Sequence, residues 1–142
     1  MIEVIKITKD NFPVYEAQLN DFFMALEETF SYYRNRGLSH ITKVCKPFVY
    51  INEHGDLIGY GHLDMEEDAL WLGIAVSKRY RGEGHGSHIM NHLIRTFKTE
   101  HKDCILNLAV SKKNDRAINL YRKYGFNVIK ESNKNWFMLL EE

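Results

Sequence analysis

Apolar and polar residues alternate over residues 2–8, with Ile2 and Val4 set against Glu3 and Lys6, the two-residue period of a strand. From 14 to 33 the period changes. Leu19, Phe22, Phe23, Leu26 and Phe30 recur at helical spacing, which predicts one long helix or two short ones, with Gly37 ending the pattern. Asp10 or Asn11 can cap its start, and Pro13 is tolerated in a first helical turn. Residues 48–51 read as a strand and 52–56 as a turn, so 57–64 should return antiparallel. An acidic turn at 65–68 leads into an apolar strand over 69–76. Residues 87–99 form an amphipathic helix pattern with Ile89, Met90, Leu93, Ile94 and Phe97 on one face. A strand at 104–110, a short helix at 117–124 stopped by Gly125, and a pair of strands at 126–130 and 136–140 complete the chain. This alternation predicts one α/β domain over 1–142: a mixed, mostly antiparallel sheet with helices on both faces. Its helix-linked crossing from 70–76 to 104–110 should be parallel.

Composition narrows the partners. Lys plus Arg equal Asp plus Glu at 19 each, so no global field recruits nucleic acid or an anionic membrane. No apolar run approaches the roughly 20 residues that span a bilayer, and the start lacks a signal-peptide pattern, which points to a cytoplasmic protein. Cys45 and Cys104 lie far apart with no metal-ligand spacing and read as reduced structural thiols, Cys104 inside a strand. His88 and His92 are four apart on the long helix, but the apolar face excludes them, so they fall on the wet side with Arg95 and Thr99 and no metal is expected.

The chemistry concentrates at 76–87, Val-Ser-Lys-Arg-Tyr-Arg-Gly-Glu-Gly-His-Gly-Ser. Arg81, Gly82, Gly84 and Gly86 sit where a strand turns into a helix, and there free backbone N–H groups and the positive helix end converge on an anion. Glycine admits close backbone approach and positive φ. No Gly-Lys-Ser/Thr ending follows, which excludes a P-loop, and the spacing does not fit Gly-x-Gly-x-x-Gly. The stretch resembles the acyl-CoA-binding motif of the GNAT superfamily of N-acetyltransferases: an apolar residue, four spacers, Arg or Gln, two spacers, Gly, one spacer, Gly or Ala. Val76, Arg81, Gly84 and Gly86 fill those positions. A second stretch, 114–126, is similar to the other half of that signature through Asn114, Ala117, Leu120-Tyr121 and Gly125-Phe126.

The resemblance implies a GNAT-type fold with a splayed central parallel pair. It also implies acetyl-CoA as co-substrate and direct attack by a primary amine in a ternary complex. It places the pyrophosphate on Gly82, Gly84, Gly86 and Ser87 with Arg81 and Lys123 as charged helpers, the pantetheine arm on the backbone of Ile74 and Val76, and Asn114 beside the cofactor. Tyr121 would protonate the departing thiolate; its plain alternative is a core tyrosine, as that of Asn114 is a helix cap. Several relatives carry Glu six residues before the position of Val76, where this chain has Leu70. The base must come from elsewhere or be a water chain; His62, at an ordinary pKa near ~6.5, is the first choice, its plain alternative is a satisfied strand histidine, and Asp64 on the same strand face could instead hold the ammonium form. Tyr32, Tyr33, Arg34 and Arg36 could stack on and pair with a nucleotide-linked amino sugar, whereas the acids at 64–68 favour a polyamine or aminoglycoside. A protein amine as acceptor, a homodimer, and an acyl-CoA sensor without turnover all stay open.

Overall fold

A computed structural model describes residues 1–26 and 30–141. Its strands are β1 (Glu3–Lys6), β2 (Lys46–Ile51), β3 (Leu57–Glu66), β4 (Ala69–Val76), β5 (Ile105–Ser111), β6 (Phe126–Glu131) and β7 (Asn135–Leu140). The helices are α1 (Phe12–Ala25), α2 (Tyr32–Arg36), α3 (His85–Glu100) and α4 (Asp115–Lys123). The strands form one sheet in the order β1-β2-β3-β4-β5-β7-β6, in which β4 and β5 are parallel and the other neighbours antiparallel.

Alternation along β3 divides two cores. Gly59 and Gly61 face α3. A Cβ there would come within 2.7 Å and 2.8 Å of Ile89, so the missing side chains let the helix lie close against the sheet. That side buries Ile89, Met90, Leu93 and Phe97 on Leu63, Leu70, Leu72 and Leu106. The opposite side of β3 presents Tyr60, His62 and Asp64. There a second core packs Leu19, Phe22 and Leu26 of the first helical region with Tyr33, Ile41 and Tyr60.

Several expectations change. The helix begins earlier than 14, at Phe12, and the 14–33 stretch holds the rest of α1 and the start of α2, while residues 27–29 lie outside the described residues. The connection after it is α2 followed by a 3-10 turn, Leu38–Lys43, entered through Gly37 at φ +83°. Asn11 precedes α1 without capping it, because its side chain accepts from the Thr8 N–H at 2.8 Å. The acidic turn is tighter than 65–68: Glu67 and Asp68 both take positive φ, the requirement of a two-residue hairpin turn of this hand. Cys104 lies just ahead of β5, and Cys45 is exposed, so the latter is no core thiol. His92 is not on the wet face. Its Nδ1 is 2.7 Å from the Tyr50 hydroxyl, and its ring meets Phe48 edge-on.

Candidate active site

β4 and β5 stay paired over three residues, Ala69–Trp71 against Ile105–Asn107. Beyond that point β5 is bonded to β7 alone, so the two parallel strands part and leave the 72–76 side of β4 without a neighbour. The opening is a cleft of about 850 Å³ lined by both strands, the loop after β4, α4 and α2. Its size suits a substantial organic ligand, and a bare strand edge with a glycine loop at its end offers such a ligand backbone hydrogen bonds along its length.

At the loop end, Gly82 and Gly84 take φ +82° and +85°, and added Cβ atoms there would meet nothing within 4 Å. Backbone conformation, not crowding, calls for glycine at both positions. Gly84 caps α3 in the left-handed region, and the first helical hydrogen bond runs from His88 N to Gly84 O. The N–H groups before it point out of the helix end, an anion cradle with the positive end of the dipole behind it. Gly86 serves a different purpose. Its Cβ would stand 3.1 Å from Leu120 Cδ2, so glycine lets α4 close onto the start of α3. Tyr124 fastens that junction by donating its hydroxyl to Ser87 O at 3.1 Å. Tyr80 fastens the other side of the loop by donating to Asp56 at 2.6 Å. Arg81 turns back to donate its Nε–H to Val76 O at 3.2 Å.

The α4 wall carries Asn114 and Tyr121. Asn114 caps the helix, its Oδ1 accepting from Ala117 N at 3.2 Å. Tyr121 is 5% exposed and sits edge-on to Phe126, yet it lines the cleft. Burial pushes its phenol well above 10, so the hydroxyl stays protonated through the neutral range.

The α2 end is made of side chains. Tyr32, Arg36, His62, Glu66, Trp71 and Phe137 come together there from α2, β3, β4 and β7. Arg36 lies 4.0 Å over the Tyr32 ring, donates to Tyr32 O at 2.9 Å and pairs with Glu66 at 3.3 Å. His62 is 2% exposed, and its Nδ1 lies 2.8 Å from the Tyr60 hydroxyl. Its cross-strand partner is Gly73, where a Cβ would fall 2.6 Å from His62 Nε2. Glycine at 73 is what lets the imidazole lie flat over β4.

Thirteen of the expected site residues line this one cleft: Ile74, Val76, Arg81, Gly82, Gly84, Gly86, Ser87, Asn114, Lys123, Tyr121, His62, Tyr32 and Arg36. Three do not. Asp64 is buried and spent on the Tyr32 hydroxyl and the Cys45 N–H, so it holds α2 in place and has no carboxylate edge facing the cleft. Tyr33 points into the second core, and Arg34 is exposed away from the cleft lining. The expectation of a histidine poised near 6.5 is corrected too, since burial pulls His62 down to about 4. Trp71, Phe137, Tyr60 and Gly73 escaped the sequence reading as functional positions. The β3–β4 register, once known, points to Gly73 opposite His62.

Residues 9–126 match the profile of the family described as the acetyltransferase (GNAT) family. The chain belongs to the GNAT family. Among curated proteins, a relative in Bacillus subtilis (strain 168), named uncharacterized N-acetyltransferase YobR, is 31% identical over 115 residues. That match covers 78% of this chain and 46% of the relative, so the chain spans about half the length of the curated protein it resembles. Three solved structures share the GNAT fold with it. An acetyltransferase of the family from Staphylococcus aureus Mu50 has a TM-score of 0.78 at 19% identity, covering 99% of this chain and 100% of that one. The Thermoplasma acidophilum PaiA N-acetyltransferase in complex with coenzyme A has a TM-score of 0.71 at 15% identity, over 100% and 99%. Arabidopsis thaliana Naa50, in complex with the bisubstrate analogue CoA-Ac-MVNAL, has a TM-score of 0.72 at 18% identity, over 99% of each. In GNAT terms the splayed β4–β5 pair, the glycine loop and the α4 tyrosine of this chain occupy one continuous cleft.

Proposed function

We propose that this domain transfers the acetyl group of acetyl-CoA to the primary amine of a small molecule by direct attack. The observation that carries the reading is the single cleft running from the α3 N-terminus, along the unpaired edge of β4, past Tyr121 to the aromatic end at α2. A pyrophosphate suits the loop N–H groups with Arg81 and Lys123 beside it, and a pantetheine amide chain suits the edge at Ile74 and Val76. In the reaction the amine nitrogen bonds to the thioester carbonyl carbon, the carbon–sulfur bond breaks, the Tyr121 hydroxyl supplies the proton that the thiolate takes, and the resulting phenolate recovers a proton from solvent. The amine proton is lost to solvent. Holding both reactants in one cleft supplies much of the rate, and a β4 N–H near Val76 can steady the oxyanion. His62 is the neutral imidazole of the acceptor end, and its chemistry follows from which ring nitrogen carries the hydrogen.

The acceptor reading is narrower than the four residues at 32–36 suggested. Tyr32 and Arg36 line the cleft, but Tyr33 and Arg34 do not, and Arg36 already pairs with Glu66. The support for a nucleotide-linked amino sugar is halved, and a compact primary amine fits better. A second reading, an acyl-CoA-binding domain without turnover, draws on Leu70, buried at the position where several relatives have Glu. Incubation with acetyl-CoA and a panel of primary amines, with free thiol followed over time, separates the two. Amine-dependent thiol release is expected. Binding of acetyl-CoA with no release above the hydrolytic background for any amine would leave the sensor reading.

A further inference from the structure

Two tyrosines of α2 and two polar groups of β3 form parallel links that dock the helix on the sheet. Tyr32 donates to Asp64. Tyr33 and Tyr60 share a hydroxyl–hydroxyl hydrogen bond of 2.5 Å, and Tyr60 is bonded in turn to His62 Nδ1. The direction of this second chain is decided at its far end. Tyr33 is buried; Phe23 and Phe30 beside its ring offer no lone pair to a hydroxyl, and the neighbouring Tyr32 turns its own hydroxyl to Asp64. Tyr60 oxygen is therefore the one acceptor for the Tyr33 hydrogen among the described residues. Once Tyr33 donates to Tyr60, the hydrogen of Tyr60 goes to His62 Nδ1. The reverse order would leave the Tyr33 hydrogen buried and unpaired, a costly arrangement. A neutral imidazole carries one hydrogen, so with Nδ1 accepting, that hydrogen is on Nε2. Burial keeps the ring neutral at pH 7. Nε2 is the edge laid over Gly73, a residue of the cleft wall.

We propose that His62 acts in this cleft as a hydrogen-bond donor through Nε2–H and not as a base. It recognises an oxygen, carbonyl or hydroxyl, that the acceptor carries beside its amine, and Tyr60 and Tyr33 are positioning residues that set its tautomer. The role rests on the acceptor-end reading of the α2 end given above. A donor at Nε2 has no lone pair for the amine proton there, so the acceptor arrives as free amine. What Nε2–H can do is select. A plain alkylamine leaves it unpaired, whereas an amine with a neighbouring oxygen satisfies it.

Nitrogen-15 NMR of the labelled protein at pH 7 reads the tautomer directly and needs no turnover. The spectrum of the unaltered protein is expected to show His62 with Nε2 protonated and Nδ1 bare, and Nδ1–H would overturn the proposal. In Tyr60→Phe the bias should weaken to a mixture; a retained pure Nε2–H form would remove the positioning role from the tyrosine relay. Kinetics supply the other arm, with ethanolamine and glycinamide as the hydroxyl- and carbonyl-bearing amines and propylamine as the plain one. The oxygen-bearing amines should be favoured roughly tenfold in kcat/KM, the worth of about one hydrogen bond. Whichever of the two is preferred identifies the kind of oxygen. His62→Gln, which keeps an N–H donor and cannot act as a base, should retain that preference, and His62→Leu should lose it. Gln and Leu variants that are equally inactive would mean that His62 is a base after all. Absence of thiol release with every amine would count against acetyl transfer, while the NMR spectrum would still decide where the hydrogen sits.

Discussion

At the loop end of the cleft most of the groups offered to a ligand belong to the backbone, the N–H groups at the start of α3 and the unpaired edge of β4, with Arg81 and Lys123 as the charged side chains beside them. At the α2 end they belong to side chains, from Tyr32, His62, Trp71 and Phe137 on four separate elements. Backbone groups are placed by local conformation, so glycines in register and a strand-to-helix junction are enough to write the first half. The second half exists only when α2, β3, β4 and β7 have been brought together. The two ends should therefore respond to different substitutions, with Tyr121 standing where they meet.

The largest effect is expected at that meeting point. Tyr121→Phe keeps the buried ring and its contact with Phe126 and removes the hydroxyl alone. A general acid is worth roughly 10²–10⁴ in rate, so kcat should fall by that range while acetyl-CoA binding is unchanged in calorimetry. Because burial raises the phenol, the rate of the unaltered protein should show no loss from its ionisation up to pH 10. A Phe variant with undiminished kcat would make solvent the proton source and Tyr121 a packing residue.

The side-chain end carries a pH signature that the backbone end lacks. His62 titrates near 6.5 when unfolded and about 4 when folded, so the folded state refuses a proton that the unfolded chain accepts. Stability contributed this way is complete above pH 6.5 and is lost as pH falls toward about 4. At 1.36 kcal/mol per unit, the loss is about 3 kcal/mol. Urea unfolding at the two ends of that window, compared between the unaltered protein and His62→Gln, isolates it from the carboxylates. An equally steep slope in the Gln variant would show that the imidazole is not desolvated.

The backbone end should break on conformation. At φ +85° with open space around it, Gly84 can accommodate the volume of a side chain but not the strain, which costs about 1–3 kcal/mol and more for a β-branched residue. Gly84→Val should weaken acetyl-CoA binding by tenfold or more, and Gly84→Ala by less, with the melting transition retained. Equal affinities for Gly84→Val and the unaltered protein would move the anion site off this loop.

The same contrast explains what could be read from the sequence. β4 spans 69–76 as its apolar run suggested, and the β6–β7 pair follows from its pattern, because period and turn chemistry act locally. Tyr32 and Tyr33 were indistinguishable. Neighbours on a helix point about 100° apart, and only the docking of α2 on β3 sends one to the cleft and the other to the core. Asp64 shares a strand face with His62, as alternation required, yet its carboxylate is used up by Tyr32 and Cys45, partners whose approach no local pattern reveals. Gly86 shows the converse. Its motif position is right, but its lack of a side chain serves the Leu120 contact.

The smallest effect is the most informative about the acceptor. Arg36 and Glu66 keep 40% and 47% of their side-chain surface exposed, so their ion pair is worth only about 0–1 kcal/mol. Arg36→Ala should leave the acetyl-CoA KM alone, since the residue belongs to the side-chain end. It also frees the Glu66 carboxylate at the cleft mouth. The KM of a cationic amine should then fall a few-fold, and that of an anionic one should rise. Arg34→Ala, two residues away and outside the cleft lining, should change neither constant. A common shift in both constants for Arg36→Ala would mean that α2 holds the whole cleft together. A matching shift for Arg34→Ala would mean that diffuse charge, and not the Arg36–Glu66 pair, tunes the acceptor.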